Sequence, residues 1–335
     1  MQITVILCTY NRCQSLAKAL ESVAASQLPD SIEWELLVID NNSKDQTRDV
    51  VEDFCRKHPD RFRYVFEREQ GKSNALNTGI REARGSILAF MDDDVIVDPA
   101  WLWSVTKPLD SDEWAGAGGR ILTQQTFVVP QWLALEGPYS MSGMLALFDL
   151  GDRGEELKSP PFGTNMAFRK SVFTKYGGFR TDMGPCPGSE IRNEDTEFGR
   201  RVMAAGERLW YEPSAIVYHA VPEKRLKKRY FLRFWYDHGR ASVREDWSGK
   251  SGSLSQALSE YRRILSGFPR PKATAKGLLA KDPKKRFYHR CLASMKMGQI
   301  VEMPRCWFSG TRQNQSIRAN QPETGHSTTK LGSVE

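Results

Sequence analysis

The stretch Ser86 to Pro99, SILAFMDDDVIVDP, sets an apolar run directly against three consecutive acids, Asp92, Asp93 and Asp94. Ile87 to Met91 has the length and composition of a buried strand, which puts the carboxylates at its carboxyl end. Like charges repel, and at the mouth of a core they have lost part of their water, so a cation or a set of donors must compensate. A divalent metal is the simplest compensation. Side chains alternate along an extended chain, so Asp92 and Asp94 are expected to point one way and Asp93 the other. Such an Asp-x-Asp pair offers hard oxygens to Mg2+ or Mn2+ and leaves room for phosphate. The alternative is a solvated acidic turn ahead of a helix starting at Asp98-Pro99.

The same pattern recurs upstream. Ile3 to Cys8 is an unbroken apolar run ending at Thr9-Tyr10-Asn11-Arg12, and Leu16, Ala19, Leu20 and Val23 then recur at helical spacing, with Ser15 as the expected N-cap. Glu35 to Ile39 is a second strand, ending at Asp40-Asn41-Asn42-Ser43, with Val50, Val51 and Phe54 marking a helix behind it. Phe62 to Phe66 and Ser73 to Ala83 give a third pair. Continuous apolar strands alternating with amphipathic helices predict an α/β fold with a mostly parallel sheet flanked by helices on both faces. Ligands of such sheets bind outside the carboxyl ends of the strands, which collects Thr9 to Arg12, Asp40 to Ser43 and Asp92 to Asp94 on one rim. A Gly-x-Gly-x-x-Gly turn and a Gly-x-x-x-x-Gly-Lys-Ser/Thr loop are both missing, which argues against dinucleotide oxidoreductases and P-loop NTPases. Gly71-Lys72-Ser73 precedes the third helix, where it either meets an anion or simply starts the helix.

Further along, Ala115 to Leu122 reads as a Gly-rich strand, Pro130 to Glu136 as a short helix and Gly137 to Pro161 as a loop of lid length. Phe162 to Arg169 is expected to be a strand whose small residues Gly163, Thr164 and Asn165 admit a ligand closely, and Lys170 to Tyr176 a helix closed by Gly177-Gly178. Asn193 is the expected N-cap of a helix whose first turn holds Glu194, Asp195 and Glu197, an arrangement that the helix dipole alone would favour. Glu207 to Tyr211 and Ile216 to His219 read as two short strands. Past Pro222 the pattern turns helical, over Leu226 to Glu245, Leu254 to Phe268 and Lys284 to Ile300, and from about Thr311 the polar composition reads as a disordered end.

Charge divides the chain in the same place. Of the 335 residues, 222 to 321 hold 23 Lys plus Arg against 7 Asp plus Glu, an excess of +16, which leaves −9 of the net +7 for the remainder. A basic, aromatic-bearing tail suits anionic lipid, a phosphate-bearing acceptor or nucleic acid; a plain solvated surface is the alternative. The six cysteines show no Cys-x-x-Cys or Cys/His metal spacing and read as free thiols of a reducing compartment. With no basic leader ahead of the first strand and no run of membrane-spanning length, the expected location is the cytoplasm.

Taken in order, CTYNR, VIDNNSKDQT, GKSNALNTGI, FMDDD, GTNMAFRK and NEDTEF resemble the inverting family 2 glycosyltransferases from Ile3 to about His219. The resemblance implies the GT-A fold, with a nucleotide-binding half at 1–98 and an acceptor-side half at 99–221; the basic helical extension at 222–310 and the tail at 311–335 lie outside it and are read from pattern and charge alone. It also implies that Thr9, Asn11, Arg12, Asp40, Lys72, Asp92 and Asp93 serve the nucleotide sugar. Asp94 and His219 would hold Mn2+ or Mg2+, with the imidazole favouring manganese. Asp195 would be the general base and Glu194 an acceptor ligand. The implied activity is transfer of a single sugar from a nucleotide-sugar donor, of the uridine diphosphate class, to a glycan or lipid-linked acceptor, since the Gln-x-x-Arg-Trp motif of processive members is missing after His219. No nucleic-acid partner is expected, and the basic helices are expected to face an anionic membrane. Sugar-phosphate nucleotidyl transfer and non-catalytic binding of a nucleotide sugar are the competing functions.

Overall fold

The computed structural model describes residues 2–187, 191–247, 254–266 and 277–319. Four apolar runs form the parallel strands β1 (Ile3–Thr9), β2 (Trp34–Asp40), β3 (Phe62–Phe66) and β4 (Ile87–Asp92). Helices α1 (Cys13–Ala24), α2 (Thr47–Lys57) and α3 (Lys72–Glu82) return between them. Alternate residues of each strand serve opposite faces. Val5, Leu7, Leu36 and Val38 pack with Leu16, Leu20 and Val51 on one side, and Ile6, Leu37 and Ile39 pack with Ala75 and Leu76 on the other. That two-sided burial is why the runs are unbroken in sequence.

Beyond β4 come β5 (Val95–Val97), α4 (Trp101–Thr106), β6 (Gly116–Thr123), β7 (Glu155–Glu156), β8 (Met166–Arg169), α5 (Lys170–Tyr176), α6 (Glu194–Ala204) and β9 (Leu209–His219). The sheet order is β3-β2-β1-β4-β8-β6-β9-β5, with β7 on β9. The sheet is parallel through β3-β2-β1-β4 and turns mixed where β8 runs antiparallel to both β4 and β6. Helices α7 (Lys228–Trp247), α8 (Leu254–Ser266) and α9 (Pro283–Ala319) complete the described chain. Phe231, Phe287 and Cys291 of α7 and α9 bury Leu133, Met141 and Leu145 of the long 124–165 connection, which binds the C-terminal helices to the acceptor half.

Several local expectations are corrected. Helix α1 starts at Cys13, whose N–H is received by Asp45 Oδ2 at 3.0 Å, so its first turn is capped from the next loop and Ser15 lies inside the helix. Pro130 to Glu136 forms turns rather than a helix, because its apolar residues are spent on contact with α7 and α9. Of Phe162 to Arg169 only Met166–Arg169 is strand. The two short strands expected at 207–219 are one strand, β9, interrupted by a bulge between Glu212 and Ile216. Helix α9 runs to Ala319, past Thr311, while residues 320–335 and the end of the helix expected to reach Phe268 lie outside the described residues. Among the described residues no helix is long and apolar enough to cross a membrane.

Candidate active site

The register of the parallel strands builds the rim. Thr9 pairs with Asp40 and Cys8 with Asp92, so the turns after β1, β2 and β4 end side by side. A cleft of about 380 Å3 opens there, lined by Thr9, Arg12, Lys72, Asp92, Asp93, Asp94 and, from the far side of the sheet, His219 and Arg225. All three aspartates face it. The expected alternation fails because β4 ends at Asp92 and the next two residues form a turn, which frees their side chains from the strand's two-residue period.

Two cations compensate the three carboxylates directly. Lys72 Nζ donates to Asp92 Oδ1 at 2.7 Å and lies 3.5 Å from Glu194 Oε1. Arg12 Nη1 bridges Asp93 Oδ1 at 2.8 Å and Asp94 Oδ2 at 3.0 Å, while Thr9 Oγ1 donates to Asp93 Oδ2 at 2.7 Å. Burial alone would raise the Asp92 pKa, but Lys72 outweighs it and brings the group to about 2. For Asp93, burial exceeds the pull of Arg12 and lifts the group to about 6. Glu194 is also raised, by burial first, with Lys72 opposing.

Gly71 and Lys72 do not form an open anion site with their backbone. Gly71 N donates to Asn41 Oδ1 at 2.7 Å and Lys72 N to Pro185 O at 2.9 Å, so both N–H groups are already taken. Asp40 and Asn11 are likewise occupied in shaping the rim and do not line the cleft. Asp40 accepts from Ser43 N and the Tyr64 hydroxyl, and Asn11, at φ 51°, accepts from Lys44 N.

On the acceptor side, Asp195 is held by backbone. Its Oδ2 accepts from Gly163 N at 2.6 Å and its Oδ1 from Thr196 N at 2.7 Å. Gly163 has no room for a side chain, since a Cβ there would stand 2.9 Å from Asp195 Oδ2. The neighbours differ in role: Asn165 is fully buried, bonding Trp101 Nε1 and the carbonyls of Arg120 and Ala215, and the buried Thr164 Oγ1 finds no partner among the described residues.

His219 Nε2 faces Asp94 Oδ1 at 3.8 Å, a separation that two ligands about 2.1 Å from one ion can span. Burial lowers the imidazole's pKa, and the neutral ring is the form that ligates. Arg225 Nη1 lies 2.9 Å from the same Nε2, and its Nη2 lies 3.6 Å from Asp94 Oδ2. Asp94 and His219 therefore fit a divalent ion once that guanidinium gives up the nitrogen. Among the described residues no cluster of three metal-ligating side chains is present. Sequence reasoning missed Arg225, Arg192 and Gln70, all of which line the cleft. Arg225 carried one faint signal, its place six residues beyond His219 at the start of the basic segment.

The family model for glycosyl transferase family 2 matches residues 4–177, about half of the chain. The chain belongs to glycosyl transferase family 2. It is a glycosyltransferase, as its curated relatives are. Glucosyl-dolichyl phosphate glucuronosyltransferase of Haloferax volcanii is 26% identical over 250 residues, covering 72% of this chain and 76% of that protein. The mannosyltransferase PcManGT from Pyrobaculum calidifontis, solved with GDP-Man and Mn2+, superposes over 96% of this chain and 76% of its own at TM-score 0.53 and 18% identity. TarS residues 1–349 of S. aureus, solved with UDP-GlcNAc, does so over 96% and 93% at TM-score 0.52 and 17% identity. These likenesses show the fold, GT-A, as the resemblance implied. The family match ends at 177, so Glu194, Asp195 and His219 lie outside the matched segment.

Proposed function

We propose that this glycosyltransferase moves a single sugar, with inversion, from a nucleoside diphosphate sugar of the uridine class to a glycan or lipid-linked acceptor, with Asp195 as general base. The observation that carries this reading is the division of the site. Three carboxylates and three cations, Arg12, Lys72 and Arg225, surround a cleft of nucleotide size, and the backbone-held carboxylate of Asp195 directly follows Glu194, whose Oε1 lies 3.5 Å from Lys72 Nζ of that cleft. The GDP-Man complex of PcManGT and the UDP-GlcNAc complex of TarS support a nucleoside diphosphate sugar as donor, and the dolichyl phosphate in the name of the Haloferax relative supports a lipid-linked acceptor.

Arg12, Lys72 and Arg225 have the charge to receive a diphosphate, and Asp93, which Thr9 and Arg12 hold, would meet ribose or the donor sugar. A divalent ion on Asp94 and His219, manganese by the softness of imidazole, would act when bound as a Lewis acid on the leaving diphosphate. Asp195 takes the proton of the acceptor hydroxyl. The acceptor oxygen then bonds to the anomeric carbon as the bond to the diphosphate breaks, and that electron pair leaves with the diphosphate. One carboxylate on the attacking face gives inversion, because a double displacement would need a nucleophilic carboxylate against the same carbon. Glu194, buried next to Lys72, orients the lysine.

A thermal-shift panel of uridine, guanosine and thymidine diphosphate sugars, with and without Mn2+, tests the donor. A shift with the uridine series that grows with Mn2+ is expected; an equal shift without metal would remove the ion from the mechanism. We further propose that the basic helices dock on an anionic membrane, where a lipid-linked acceptor resides. Lys224, Lys227, Lys228, Arg229, Lys281, Lys284 and Arg290 are exposed there, and Leu279 projects beside them at 81% exposure.

A further inference from the structure

A second cleft, of about 420 Å3, lies between the N-terminal turn of α6 and helix α7. Its walls are Arg192, Asn193, Tyr230, Arg233, Phe234, Asp237 and His238. Arg192 also lines the donor cleft, so the two spaces share a wall, and Asn193 immediately precedes Glu194 and Asp195. Asn193 sits at φ 79°, and its side chain bonds His238 Nδ1 at 2.9 Å instead of capping its own helix, which couples α7 to the turn that carries Asp195.

The lining is that of a site for a charged saccharide. Tyr230 and Phe234 stand one turn apart on α7 with ring centroids 6.2 Å from each other, offering apolar faces of the kind that pack against a sugar's C–H face. The Tyr230 hydroxyl is fixed to Met144 O at 3.1 Å, and the Arg192 guanidinium lies 5.6 Å from the Phe234 ring centroid. Asp237 is nearly buried and receives Arg240 Nη1 at 3.2 Å from outside the cleft, so its charge is compensated from behind. Arg233, its side chain 73% exposed, lies 3.7 Å from that carboxylate through Nε. Two guanidiniums beside two aromatic faces match a sugar bearing phosphate better than a neutral glycan, because a planar guanidinium binds a phosphoryl group through paired hydrogen bonds.

We propose that this cleft is the acceptor subsite and that it recognises a saccharide carrying a phosphoryl group, with Arg233 and Arg192 on the phosphate and Tyr230 and Phe234 under the sugar. The proposal rests on the glycosyltransferase reading of the donor cleft and adds the acceptor's chemical class to it. Tyr230, Arg233 and Phe234 lie outside the segment that the family model matches, so the helical extension supplies one wall of the subsite and the turn before α6 the other.

The test is calorimetric, on the full chain saturated with the nucleoside diphosphate that it binds. Four free hexoses (glucose, galactose, mannose and N-acetylglucosamine), their 1-phosphates, and a prenyl-linked phosphate of each in mild detergent are titrated into wild type, Arg233→Ala and Phe234→Leu. Binding of a phosphorylated probe at least tenfold tighter than its free sugar is expected, weakened at least tenfold by Arg233→Ala and less by Phe234→Leu, with nucleotide affinity unchanged. A preference for the prenyl-linked probe would assign the phosphate to a lipid carrier, and equal binding of the 1-phosphates to a soluble acceptor. No phosphorylated probe binding, equal binding of free sugars, or indifference to Arg233→Ala would overturn the proposal while nucleotide binding stands. Failure of nucleotide binding itself would overturn the donor-site reading and this proposal together.

Discussion

Asp195 is positioned by geometry that a single methyl group would disturb. Its Oδ2 receives Gly163 N at 2.6 Å, and a Cβ on residue 163 would come within 2.9 Å of that oxygen and 3.1 Å of the aspartate Cβ. Gly163→Ala is therefore expected to push the carboxylate aside and lower kcat about a hundredfold, the usual cost of a misplacement near 1 Å. Gly163 does not line the donor cleft, so nucleotide affinity is expected to stay as it was. Steady-state kinetics with a parallel nucleotide titration separates the two, and an unchanged kcat would deny Asp195 its role. Which residues gather at the rim was legible in the sequence, because strand ends of a parallel sheet meet. How they face was not: the turn after Asp92 turns Asp93 and Asp94 onto one arginine, and Arg225 reaches the site from a segment whose composition announced only positive charge.

At the scale of elements, α7 and α9 cross where glycine permits it. A Cβ on Gly239 would stand 2.0 Å from Met295 O, and one on Gly298 2.0 Å from Tyr236 O. Beside the crossing, the buried carboxylate of Glu302 receives Arg240 Nε at 2.8 Å, Arg244 Nε at 2.7 Å and Arg305 Nη1 at 3.2 Å. Burial opposes ionisation there, yet the arginines prevail and hold Glu302 below its ordinary value of 4.5. A depressed carboxylate contributes stability above its unfolded pKa and loses it as pH falls through the folded one. Glu302→Ala is accordingly expected to cost about 3 kcal/mol at neutral pH, with the deficit shrinking below about pH 4.5. Denaturant unfolding of both proteins across that range measures it, and a deficit independent of pH would contradict the assignment. None of this was legible in sequence, where Glu302 is one acid in a basic helix. The core strands were legible because burial on both faces leaves no polar interruption. Pro130 to Glu136 misled because its apolar residues answer to α7 and α9 rather than to a helix of their own.

For the molecule as a whole, the separation of charge seen in the sequence becomes a separation of surfaces. Asp92, Asp93 and Asp94 meet at the rim of the sheet, and the basic excess lies in the segment that follows His219. Flotation with acidic liposomes at low salt is expected to carry the protein with the vesicles, and a Lys281→Glu/Lys284→Glu double variant less so. Equal recovery from neutral and acidic vesicles would reject electrostatic docking. The central claim, one base in front of a nucleotide cleft, is tested most directly by Asp195→Asn. Sugar transfer by the purified variant is expected to fall at least a thousandfold, while its affinity for the nucleoside diphosphate and its thermal stability stay those of wild type. Transfer near the wild-type rate with nucleotide binding intact would contradict the account.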